Sequence, residues 1–137
     1  MAQNLKIEVV TPEKAVVDEE AKIVVAPGEL GEFGVLPGHT TFLTTLKTGT
    51  LRYTDTKDQE CYVFVSGGFA EALPDKVTVL AESAERRRDI DLERAKAALE
   101  RAEKRLAEQR LKEALDFTRA KAALERALQR LKLAETR

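Results

Sequence analysis

The sequence predicts an α+β chain of two modules: a small β-sandwich or barrel over residues 1–84, and a two-helix antiparallel hairpin over 91–137 that is able to extend. A short linker over 85–90 joins them. Three observations predict this. All seven glycines and all four prolines of the 137 residues lie before Asp75. The same front segment carries alternating apolar runs. From Asp91 onward the apolar spacing changes to the helical period, and glycine and proline disappear.

The strands come first. In "LKIEVV" Leu5, Ile7 and Val9 alternate and so share one face of a strand. "KIVVAP", "CYVFVSGGF" and "KVTVLAE" repeat the pattern, and Pro12, Gly28, Pro37, Gly38, Gly49 and Gly67–Gly68 punctuate it. Many short strands with such turns fit two packed sheets or a closed barrel, either of which limits exposed edges. Cys61, the single cysteine, excludes an internal disulfide framework and is expected as a small buried apolar residue.

The helices follow. Leu92, Ala95, Leu99, Ala102 and Leu106 recur at 3-4 spacing, as do Phe117, Ala120, Leu124, Ala127, Leu131 and Ala134. Each set makes a narrow seam of the kind that pairs two helices. Asp91 and Asp116 stand where helix N-caps are expected. "RAKAALERAEKRL" at Arg94–Leu106 returns as "RAKAALERALQRL" at Arg119–Leu131, with eleven of thirteen residues identical. With a turn near Lys112, heptad positions place Arg94 level with Arg130 and Arg101 level with Arg126, beside small Ala98 and Ala123. Four like charges on one flank call for a compensating anion.

Charge separates the modules. Residues 1–84 carry seven Lys/Arg against thirteen Asp/Glu, whereas residues 85–137 carry sixteen against eleven. An acidic front and a basic tail suggest different partners. The basic residues are interleaved with glutamates around one aromatic, Phe117, which argues against a nucleic-acid surface. "GELGEFG" lacks the Gly-Lys-Ser/Thr of a phosphate loop, and Ser66 in "VSGGF" lacks a nucleophile elbow. His39, the only histidine, leaves no paired-histidine metal site. No apolar run is long enough to span a membrane and the amino terminus has no signal-peptide character, so a cytosolic setting is the default. Catalysis by the chain alone is not expected.

Motif order carries a family resemblance. "GEFGVLPGHTTFLTTLKTGTLR", "VSGGFAEALPDKVTVLAESAE" and "IDLERA" at Ile90–Ala95 together resemble the epsilon subunits of bacterial F-type ATP synthase, across essentially the whole chain. The resemblance implies a flattened β-sandwich followed by two helices, bound to the gamma subunit and seated on the c-subunit ring. It implies a part in coupling proton flow to ATP synthesis at the cytoplasmic face of the plasma membrane. It also implies helices that inhibit ATP hydrolysis and meet the alpha and beta subunits when extended. No cofactor is required; ATP is the implied regulatory ligand. The family pattern transfers nucleotide contacts to Glu85, Ile90, Asp91, Arg94, Ala95, Arg101, Arg126 and Arg130, and rotor-ring contacts to Gly31, Glu32, Phe33 and His39. A nucleotide-sensing or scaffold module unrelated to the synthase, and an enzyme, are the competing classes.

Overall fold

The computed structural model describes residues 4–108 and 114–136, with side chains in the second segment from Phe117 onward. Two compact units are present, Met1–Arg86 and Arg87–Arg137.

The first unit is built from nine strands: β1 Leu5–Val10, β2 Ala15–Gly28, β3 Gly31–Val35, β4 Phe42–Thr45, β5 Gly49–Asp55, β6 Glu60–Ser66, β7 Phe69–Leu73, β8 Lys76–Leu80 and β9 Ser83–Arg86. Their order is β4-β7-β8-β1-β2-β5-β6-β9, with β3 paired to β2. β2, fourteen residues long, is the hinge of this arrangement. Its first half pairs β1, and its second half pairs β3 and β5, with the register shifting between Ala21 and Ile23. Such an irregularity bends a strand, so the two ends of β2 serve the two layers of a sandwich. β1 and β8 form the one parallel pair among these strands; the others are antiparallel.

Alternation explains what lies between the layers. Leu5, Ile7 and Val9 of β1, Val77 and Val79 of β8, Leu51 and Tyr53 of β5, and Val63 and Val65 of β6 join one buried cluster. Cys61 is only half-buried at its margin, a correction to its expected burial, because β6 runs out to the exposed β5–β6 turn there. The Gly67–Gly68 turn is obligatory: both residues have positive φ, and Leu46 N–H donates to the Gly68 carbonyl at 3.0 Å.

In the second unit a short 3-10 turn, Arg87–Asp89, leads to α1, Leu92–Glu108, and α2, Ala114–Glu135. Asp91 caps α1, its Oδ1 accepting from the Arg94 N–H at 3.2 Å. Asp116 does not cap α2, which begins two residues earlier at Ala114. The turn expected near Lys112 lies outside the described residues. The boundary also differs from expectation: residues 85–90 are not a plain linker, since Glu85 and Arg86 complete β9 and the 3-10 turn takes the next three.

Candidate functional site

The helical unit is positioned by alanine. Among the described residues, those buried at its seam are Ala95 and Ala102 of α1 and Ala120, Ala127 and Ala134 of α2. The leucines expected to fill the seam, Leu92, Leu99, Leu106, Leu124 and Leu131, are half-buried, and Phe117 is 43% exposed. The reason is geometric. Alanine lets two helix backbones approach closely, and larger residues three before or four after each alanine are then pushed about 40–60° to one side. The helices run antiparallel: Arg87, just before α1, donates to the Thr136 hydroxyl, just beyond the end of α2, at 3.5 Å.

This seam decides where the arginines go. Arg94, Arg101 and Arg126 each immediately precede a buried alanine, so each projects about 100° back around its helix. Arg130, three residues after Ala127, projects to the same side, about 60° from the seam. In an antiparallel pair the twofold axis runs through the edges, so equivalent positions on both helices fall on one edge. The four arginines therefore share an edge opposite the leucines, and Arg105 and Arg119 share it by the same geometry. Asp91, four before Ala95, sits at its end. Arg94 and Arg101 are exposed; Arg126 and Arg130 are half-buried. Several guanidinium forks on one edge, flanked by Ala98 and Ala123, form a surface suited to phosphate oxygens.

The remaining residues of that set behave differently. Ile90 and Ala95 are only 3% exposed, so they fix the backbone beside Asp91 and Arg94 rather than present apolar surface. Glu85 is a strand residue of the sandwich, opposite Phe64 in the β6–β9 pair.

The second candidate surface lies on the sandwich. "GELGEFG" forms the β2–β3 hairpin, with Glu29 and Leu30 at its tip. Gly31, Glu32 and Phe33 therefore belong to strand β3. The Glu32 carboxylate takes a two-pronged contact from Arg52, at 3.2 and 3.3 Å. Phe42 brings Phe33 and His39 together, its ring 5.3 Å from the first and 6.4 Å from the second. Leu30 is 100% exposed and Leu43 64% exposed. Leu30, Phe42 and Leu43 were not singled out from sequence; for Phe42 and Leu43 the signal was there in "TTFLTTL", seven uncharged residues around an edge strand. Large apolar groups clustered in water mark contact surfaces.

Among the described residues no cluster of His, Cys, Asp and Glu is arranged to hold a metal ion, and no helix is long and apolar enough to cross a membrane. Two family models match end to end: the ATP synthase delta/epsilon chain β-sandwich domain over residues 4–87, and the delta/epsilon chain long α-helix domain over 88–135. The chain belongs to the ATP synthase delta/epsilon chain family.

Its similar relatives fall on the epsilon side of that family. The ATP synthase epsilon chain of Desulfosudis oleivorans is 67% identical over 106 residues, 77% of this chain and 80% of that one. The epsilon chain of Desulforapulum autotrophicum is 65% identical over 109 residues, covering 80% and 81%. That of Brevibacillus brevis is 52% identical over 106 residues, covering 77% and 80%. A chain of the Euglena gracilis mitochondrial ATP synthase (OSCP/F1/c-ring) shares the fold with TM-score 0.80 at 21% identity, covering 100% of this chain and 84% of that one. A chain of the Tetrahymena thermophila mitochondrial ATP synthase central stalk/c-ring shares it with TM-score 0.62 at 13% identity, covering 97% and 98%. The delta/epsilon sandwich and long-helix domains meet at residues 87–88, next to the boundary between the two compact units at Arg86–Arg87.

Proposed function

We propose that this epsilon-family chain is a central-stalk rotor component that couples proton flow to ATP synthesis, and that its helical arm senses ATP and restrains ATP hydrolysis. The observation that carries the second half is the alanine seam, which gathers Arg94, Arg101, Arg126 and Arg130 on one edge. Phosphate oxygens relieve the repulsion among those guanidinium groups and so favour the hairpin over an extended arm. Asp91 at the end of the edge accepts from the adenine amino group, and buried Ile90 and Ala95 hold Asp91 and Arg94 in place. A ligand at about 100 times its dissociation constant stabilises the form that binds it by about 2.7 kcal/mol, enough to shift a hairpin whose buried seam is mostly alanine. Extended, the 47 residues from Asp91 would reach about 70 Å at about 1.5 Å each, far enough to meet the alpha and beta subunits.

Calorimetry on the full chain tests this. ATP should bind with a dissociation constant below about 1 mM, and Arg126→Ala, with its helix content verified by circular dichroism, should weaken binding at least about tenfold, the equivalent of 1.4 kcal/mol. Absence of binding at millimolar ATP, or equal binding by both proteins, would end the proposal.

For the sandwich, the Leu30–Glu32–Phe33–His39–Phe42 surface, with Gly31 at its hairpin, is the c-ring contact, and gamma is the neighbouring partner on the stalk. The chain is then peripheral to the membrane, on its cytoplasmic side. Leu30→Cys and Glu32→Cys should each form a disulfide with a cysteine placed in the c-subunit polar loop of the assembled synthase. Oxidation that yields neither product, with the complex intact, would point to another face.

A further inference from the structure

β9 is a weak strand by its own composition. It has four residues, stands last in the sheet order, and pairs by backbone only with β6. Ala84 is its one buried apolar side chain. Arg86, its last residue, adds a side-chain anchor. The guanidinium donates three hydrogen bonds: to the Val16 carbonyl at 3.1 Å, to the Tyr53 hydroxyl at 3.1 Å and to Glu19 at 2.9 Å. The Tyr53 hydroxyl in turn donates to Glu19 at 2.8 Å.

These partners are not on the strand that β9 pairs with by backbone. Val16 and Glu19 lie in the first half of β2, which pairs with β1 in the opposite layer, and Tyr53 lies in β5. The clasp thus ties the last edge strand to β2 and β5 through the Arg86 side chain, where no backbone ladder joins β9 to either of them. Charge-assisted, half-buried and fully mutual, it is of the stronger class of hydrogen-bond network. Burial, then the bond to Glu19, pushes the Tyr53 phenol above its ordinary titration range and keeps it a donor. Arg86 is also the last residue of the first compact unit.

We propose that the Glu19–Tyr53–Arg86 clasp is a mechanical stop: it fixes where the sandwich ends, so that motion of the chain beyond Arg87 does not peel β9 from β6. Upstream, the Ala81 N–H donates to the Val10 carbonyl at 2.9 Å. Loss of the clasp leaves β9 on its four-residue ladder to β6, so that fraying begins from Arg86. The proposal stands independently of ATP binding.

Hydrogen exchange on the full chain tests it. In Arg86→Met the amides of Ser83–Arg86 should exchange at least about tenfold faster, while those of β1 and β2 keep the parent's rates. Unchanged exchange at β9 would overturn the stop, as would a uniform rise across all strands, which marks a general stabiliser. Should Arg86→Met not fold, Tyr53→Phe, which removes one hydroxyl, must show the same localised acceleration at about threefold or more. Absence of that acceleration in Tyr53→Phe would overturn the proposal equally.

Discussion

Replacing Gly68 by alanine should lower the stability of the sandwich by at least about 3 kcal/mol. The backbone there has φ +88°, and an added Cβ would stand 1.9 Å from the Leu80 carbonyl oxygen and 2.8 Å from the Ala81 Cα. Both obstacles are main chain, so no side chain can swing aside. Moving them would pull the end of β8 away from both β7 and β1. Gly38 supplies the control: its φ is +85°, but nothing lies within 4 Å of an added Cβ. Gly38→Ala should cost only the conformational strain, about 1 kcal/mol. For a domain of this size about 4–8 °C of melting temperature accompanies each kcal/mol. Thermal unfolding should therefore separate the two variants by more than about 8 °C; equal shifts would show that the close approach at Gly68 is not limiting.

Ala127→Leu should open the helical hairpin while leaving the sandwich intact. Ala127 is buried at the seam, and three added carbons must force the helices apart or adopt a strained rotamer, at about 1–3 kcal/mol. A two-helix unit has no third layer into which to shift the strain. Among the described residues its other buried groups are Ile90, Leu133 and the remaining seam alanines, too little apolar surface to absorb the loss. Amide exchange across α1 and α2 should rise at least about tenfold, an effect of 1.4 kcal/mol. Exposed Glu125 two residues earlier should accept leucine without such a change. If both substitutions behave alike, the seam does not pass through Ala127. Because the same seam sets the arginine edge, Ala127→Leu should also weaken ATP binding in calorimetry.

Where alternation is strict, the strands are legible in the sequence. Leu5, Ile7 and Val9 point to one face and are all buried. β3 was not legible, because Gly31 and Gly34 weaken the strand pattern and its place depends on β2. β9 was invisible for a deeper reason: "SAER" has no apolar alternation, and its anchor comes from residues as far as 70 positions away. In the helices the 3-4 spacing located the seam but could not rank alanine against leucine within it. That ranking depends on how closely two backbones approach, which is a property of the pair and not of either stretch. The arginine edge is argued from spacing alone, and follows from it once the helices are antiparallel. The Glu32–Arg52 contact joins β3 to β5 and leaves no local trace.

The parallel pairing of β1 with β8 has a consequence for synthesis. Ile7 meets Val77 and Val9 meets Val79, so the first strand to emerge from the ribosome keeps one open edge until the eighth has been made. Closing so long a loop is entropically unfavourable until the strands between are in place. Until β8 arrives, β1 offers that edge to any other chain nearby, and the nascent sandwich is most exposed to mispairing in that interval.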